Sequence, residues 1–132
     1  MESIPQIALA ATAVFVLLSI GMATAVGVRR AQTGISLLHG DDEKLLRLIR
    51  AHANFVEYVP LALLAIAAAE IAGVVTWLVA LCAGVLLLAR LIHYFSLRAD
   101  AASNGRVVGA AMTSATMLVL SVAILWQIGG AG

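Results

Sequence analysis

The chain of 132 residues is 63% hydrophobic and only 11% charged, with a mean hydropathy of +1.06, whereas a soluble domain carries about 25% charged residues. This excludes an ordinary water-soluble globule and also a disordered chain, which needs low hydrophobicity and high charge; the single Cys82 excludes an intrachain disulfide scaffold. A net charge of +1 offers no basic excess for nucleic acid.

A bilayer core about 30 Å thick requires roughly 20 apolar residues of helix, and four windows of that kind occur, at about residues 5–28, 48–72, 74–97 and 107–128. They leave no room for a separate soluble domain. Residues 1–132 therefore read as one all-α integral membrane four-helix bundle. The first span has no charged residue between Glu2 and Arg29. A cleaved signal peptide is the alternative for it, but a positive n-region is missing and the apolar run is too long.

Residues 29–47 form the longest polar connection, where Gly34, Gly40 and Asp41-Asp42-Glu43 predict a loop followed by an acidic helix start near Asp42. A helix from there to Gly73 is about 45 Å long, so its first turns stand out of the lipid. Pro60 lies within it, frees the carbonyl of Val56 and predicts a kink. Gly73 marks a tight hairpin, and Ser103-Asn104-Gly105 ends the third connection as a turn signal. Arg29, Arg30, Lys44, Arg47, Arg50, Arg98 and Arg106 flank the first and third connections, while the termini and the Gly73 hairpin carry no cation. The positive-inside rule places connections one and three in the cytoplasm and both termini outside.

The second span holds the densest chemistry. At 100° per residue Arg47, Arg50, Asn54, Glu57 and Tyr58 share an arc of about 100°, one helix face. A charge in lipid costs roughly 2.5 to 3.5 kcal/mol, while a Leu or Val returns only about 0.3 to 0.6, so Arg50 and Glu57 must face protein or water. Two readings follow: an internal ion pair that joins helices, or a polar cleft for a charged ligand. In the third span Arg90, Tyr94, Leu97 and Arg98 share a face with His93 beside them, and Arg106 opens the fourth at the same level. Cations from three helices are thus expected to converge around Glu57. Arg98 also suits a simple anchoring role at the lipid phosphates.

Other residues are quieter. His39, His52 and His93 lack metal-ligand spacing, so no metal is expected; Cys82 reads as a buried structural thiol. Glu70 reads as a boundary or interface residue, and Trp77 and Trp126 as an aromatic belt. Gly21 with Ala25, Ala23 with Gly27, and Gly109 with Thr113 are small pairs that favour close helix packing.

Residues 50–60, Arg-Ala-His-Ala-Asn-Phe-Val-Glu-Tyr-Val-Pro, resemble the second-helix signature of the membrane-associated proteins in eicosanoid and glutathione metabolism, the MAPEG family, which includes microsomal glutathione transferases and leukotriene C4 synthase. Arg29-Arg30-Ala31, Arg90-x-x-His93 and Arg106 extend the resemblance over essentially the whole chain. It implies a homotrimer with glutathione, as co-substrate, bound between adjacent subunits and open to the cytoplasm. Carried over by position, Arg50, Asn54, Glu57 and Tyr58 bind glutathione, Glu57 taking the amino group and Arg50 a carboxylate. His52, Arg90, His93 and Tyr94 add further contacts, Arg29 and Arg30 stand at the mouth, and Arg106 is the catalytic arginine that stabilises the thiolate. Lowering a thiol pKa from near 8.5 by about two units takes roughly 2.7 kcal/mol, within reach of one arginine in a water-poor cleft. Leu97 stands where some relatives place a second tyrosine, and the third connection is about two residues longer.

The resemblance implies a bacterial inner-membrane glutathione transferase, with peroxidase and detoxification chemistry in the same class, acting on a small hydrophobic electrophile or lipid hydroperoxide delivered through membrane lipids. A non-catalytic lipid- or glutathione-binding scaffold is the alternative. A small multidrug transporter fits poorly, since such proteins rely on an acidic residue in the first helix and here there is none.

Overall fold

A computed structural model of the chain describes residues 4–99 and 104–130. Four helices follow one another: α1 Gln6–Thr33, α2 Glu43–Ile71, α3 Thr76–Ala99 and α4 Asn104–Gly129, with no strand among the described residues. Each is long and apolar enough to cross a membrane, and the chain is an integral membrane protein. The helices exceed the apolar windows at several ends, because a helix continues while its backbone bonds are satisfied, whatever the solvent. Thus α1 carries Arg29 and Arg30 and stops only where Gly34 adopts φ 70° and its N–H returns to the Arg30 carbonyl at 2.9 Å. Asn104 and Gly105, read as a turn, form the first residues of α4; Ser103 lies outside the described residues.

The start of α2 matches its acidic signal. Asp42 is the N-cap, its carboxylate accepting from the Leu45 amide at 2.7 Å. Pro60 is accommodated within a helix assigned without interruption to Ile71. At the far end Gly73, φ 79°, makes the tight connection, with its N–H on the Glu70 carbonyl and the Val74 N–H on the Ala69 carbonyl.

Both α2 and α3 touch every other helix, whereas α1 and α4 do not touch one another among the described residues; α2 shows the packing stripe most clearly. Its buried residues Leu45, Leu48, Ala51, Phe55, Val59, Ala62, Ile66 and Ala69 recur every three or four positions, the stripe that a helix presents to a core. Phe15 of α1 meets Phe55 with ring centroids 5.9 Å apart. The closest approach is between α3 and α4: a Cβ on Gly109 would come 2.7 Å from the Ala89 carbonyl oxygen and 2.9 Å from the His93 nitrogen. The pair Gly109 and Thr113 is buried as the packing signal required.

A half-buried glutamate secures the opposite end. Pro5, at the N-cap position of α1, gives that helix no side-chain cap. The Glu70 carboxylate supplies one from α2, accepting the Ile7 amide at 3.0 Å and the Ala8 amide at 2.6 Å. The boundary role read for Glu70 is therefore a specific one: its charge satisfies two first-turn N–H groups that have no partner within the helix and the positive end of the α1 dipole.

Candidate functional site

A polar cavity of about 460 Å³ opens at the end of the bundle where α2 and α4 begin and α3 finishes. Arg50, Asn54, His93 and Arg106, from three helices, all line it, together with Glu43 and Arg47. Leu97, Val107 and Ala110 complete an apolar portion of the wall. Three guanidinium groups against one carboxylate make this a cationic notch, suited to a ligand with more than one acidic group.

Beneath the notch lies Arg90, only 3% exposed. One of its terminal nitrogens donates to Asn54 Oδ1 at 2.6 Å and the other to Thr113 Oγ at 3.3 Å, whose own hydroxyl donates to the Gly109 carbonyl. Guanidinium has donors and no acceptor, so it fixes the Asn54 amide with its oxygen turned toward Arg90. The Asn54 NH₂ is thereby left as a donor for a carboxylate in the cavity. The Arg90 Nε and His93 Nδ1 are buried without a partner among the described residues. A buried polar atom of this kind is costly unless a water or ligand serves it.

On the other side of Arg90, an apolar cavity of about 280 Å³ is lined by Leu17, Met22, Phe55 and Tyr94 among others. Arg90 lines this apolar cavity and is linked to the polar notch through Asn54, which lines the notch and accepts its hydrogen bond. Among the described residues, no group of three His, Cys, Asp or Glu side chains is placed to hold a metal ion.

The MAPEG family profile matches residues 8–126. The chain belongs to the MAPEG family. It is also similar to Inner membrane protein YecN of Escherichia coli strain K12, 34% identical over 97 residues that cover 74% of this chain and 73% of the relative. The counterpart in strain O6:H1 gives the same values.

The signature residues of this MAPEG protein divide by position. Arg50 and Asn54 reach the notch, but Glu57 and Tyr58, farther along α2, lie on the exposed flank of the single chain, Tyr58 at 40%. The expected convergence on Glu57 is thus replaced within one chain by cations gathered near Glu43. The α4 wall of the notch ends at Ala110, and the α2 face beyond Asn54 is left open. His52 is half-buried and does not line the notch.

The expected mouth residues are occupied by their own loop. Arg29 pairs with Asp42 at 2.6 Å, and Arg30 donates to the Ile35 carbonyl at 3.1 Å. The Leu45 amide and then the Arg29 guanidinium hold the Asp42 carboxyl below its ordinary range. Tyr94 faces the apolar cavity; its hydroxyl accepts from Arg98 at 3.1 Å.

Sequence reasoning placed Arg47 on the polar face of the second span but did not assign Glu43 or Thr113 to the site. Glu43 stands four residues before Arg47 on the face that continues to Arg50, a spacing that carries the signal. Thr113 was visible only as a small packing residue, although its hydroxyl serves Arg90.

Proposed function

We propose that this MAPEG protein is a membrane-bound, glutathione-dependent transferase, with Arg106 as its catalytic residue. The observation that carries the reading is the lining of one notch by Arg50, Asn54, His93 and Arg106. Glutathione presents two carboxylates, an ammonium and a thiol, and the donor set fits it: Arg50 and the Asn54 NH₂ for a carboxylate, Arg106 for the sulfur. The unpartnered His93 Nδ1 is a further polar contact. The Arg106 guanidinium, a positive charge on the wall of the notch, favours the thiolate, and the thiol proton leaves to solvent. With an aryl chloride the sulfur forms a C–S bond and chloride departs with its electron pair.

The apolar cavity beside Arg90 supports entry of the second substrate from lipid, because its wall includes Leu17 and Phe95, both strongly exposed on the bundle surface. Glu57 supports assembly. It sits midway along α2 and is exposed on the single chain, where lipid contact would cost roughly 2.5 to 3.5 kcal/mol. A second copy covering this flank removes that cost and brings Glu57 and Tyr58 to a ligand between subunits, in the homotrimer that the family resemblance implies. The distribution of cations supports placing connections one and three in the cytoplasm and both termini outside, in a bacterial inner membrane.

The test is conjugation of a chlorinated nitrobenzene by detergent-purified protein. Arg106→Ala is expected to lower the rate at pH 7 by about 25-fold, the fall in thiolate fraction as a pKa returns from about 6.5 to about 8.5, while the ultraviolet absorbance of bound thiolate disappears. Wild-type protein is expected to show a glutathione-dependent rise in thermal stability, about 2.7 kcal/mol at 100 times the dissociation constant. Wild-type protein that neither binds glutathione nor turns it over on any electrophile overturns the proposal in favour of a scaffold.

A further inference from the structure

A smaller cationic pocket, of about 190 Å³, lies between the start of α2 and the end of α3 and is lined by Lys44, Arg47, Leu48 and Arg98. Three of its four lining residues are cations, and two of these are held in place. Arg47 donates to the Glu43 and Ala99 carbonyls at 3.4 and 3.3 Å. Arg98 donates to the Tyr94 hydroxyl at 3.1 Å and stands 5.3 Å from the centre of that ring, a cation–π arrangement. Like charges repel at this range, yet the backbone and Tyr94 keep them together. Among the described residues no carboxylate forms an ion pair with any of the three; the ion pair present is Arg29 with Asp42.

We propose that this pocket binds the phosphate of an anionic membrane lipid. Guanidinium forks match phosphate oxygens in geometry as well as charge, and the ammonium adds a mobile third donor. Position identifies the source. Lys44 lies in the first turn of α2 and Arg98 in the last turn of α3, the ends where a membrane helix passes from acyl chains to headgroups and long cationic side chains reach the phosphate level. Buried Leu48 gives the floor an apolar surface for the glycerol end of the lipid. The volume lies below the roughly 300 to 1,000 Å³ of pockets that enclose small-molecule ligands, so a headgroup phosphate fits where a tripeptide does not. Arg47 also lines the larger notch, so the test relies on Lys44 and Arg98, which line only the smaller pocket.

The experiment places the full chain in nanodiscs of phosphatidylcholine with and without phosphatidylglycerol and counts, by native mass spectrometry, the lipids retained when the disc is removed. Phosphatidylglycerol is expected to be retained well above its bulk share. Lys44→Gln and Arg98→Gln are each expected to reduce that enrichment by about fivefold, the share of one interfacial cation. Lys44 is exposed and makes no side-chain hydrogen bond among the described residues, so its variant reads the site even where loss of the Tyr94 contact unfolds the other. Equal retention of both lipids overturns the proposal, as does an enrichment untouched by Lys44→Gln. A thermal stabilisation by inorganic phosphate in pure phosphatidylcholine discs that matches the effect of phosphatidylglycerol assigns the pocket to a soluble anion and overturns the lipid source. Glutathione takes no part in these measurements, so their failure is separate from failure of the enzymatic reading.

Discussion

Glu70 Oε2 accepts the Ala8 amide at 2.6 Å across 62 positions of chain, while its other oxygen takes the Ile7 amide. A carboxylate near the end of an apolar helix thereby becomes the cap that α1 does not carry for itself. Glu70→Ala leaves two helix N–H groups without a partner and removes a charge from the positive end of a dipole. It is expected to destabilise the protein by about 1 to 2 kcal/mol, with Glu70→Gln intermediate, since an amide oxygen still accepts but carries no charge. Thermal unfolding in detergent reads the series, and an Ala variant as stable as wild type refutes the cap.

What the sequence disclosed and what it withheld follow from range. The number of helices, the Asp42 start and the Gly73 turn are local consequences of bilayer thickness, capping chemistry and backbone conformation, so they are written in contiguous residues. The Arg50 face was legible by periodicity, and its reach into the notch at Asn54 agrees with the structure. The partners of Glu70 and Arg90 are long-range contacts that no helical period reveals. Arg29 is different again: its position suited a ligand, but Asp42, 13 residues away, claims it. The surroundings of Glu57 depend on what covers an exposed flank, a matter outside the single chain.

Asn54 connects stability to binding. Its oxygen accepts from buried Arg90 at 2.6 Å, and a hydrogen bond to a charged group contributes about 1.5 to 3 kcal/mol. Asn54→Ala is therefore expected to lower stability by that amount and to weaken glutathione binding. Asn54→Asp preserves an acceptor for Arg90 but replaces the NH₂ donor with negative charge. It is expected to retain stability better than the Ala variant while repelling a ligand carboxylate. Paired thermal-unfolding and glutathione-titration measurements separate the two effects; equal losses of stability in both variants contradict the assignment of the Asn54 oxygen to Arg90.

Asp42 gives the first connection a defined response to acid. The Leu45 amide and the Arg29 guanidinium both favour its ionised form, so its pKa in the folded chain lies below the ordinary 3.8. A lowered folded value means that the cap contributes fully above the unfolded value and loses its contribution as pH falls through the folded one. Thermal stability of wild type relative to Asp42→Asn is expected to be greatest at neutral pH and to decline in strongly acidic buffer, because the amide does not ionise. A difference between the two proteins that stays constant over the acid range contradicts the coupling to Arg29 and Leu45.

Gly109 is the position at which a single methyl group is expected to disturb both packing and site. A Cβ there meets the Ala89 carbonyl oxygen at 2.7 Å and the His93 Cβ at 2.8 Å, and backbone at that distance yields only if α3 and α4 separate. Gly109→Ala is expected to cost about 1 to 3 kcal/mol, the usual range for overpacking, despite the better helix propensity of alanine. Gly84 provides the contrast, because a Cβ at that position has nothing within 4 Å; Gly84→Ala is expected to be neutral or stabilising. His93 and Arg106 face the notch from the two helices that must separate, so Gly109→Ala should also weaken glutathione binding while Gly84→Ala leaves it unchanged. Comparable stability and affinity in the two variants would show that close contact between α3 and α4 does not set the spacing of the site.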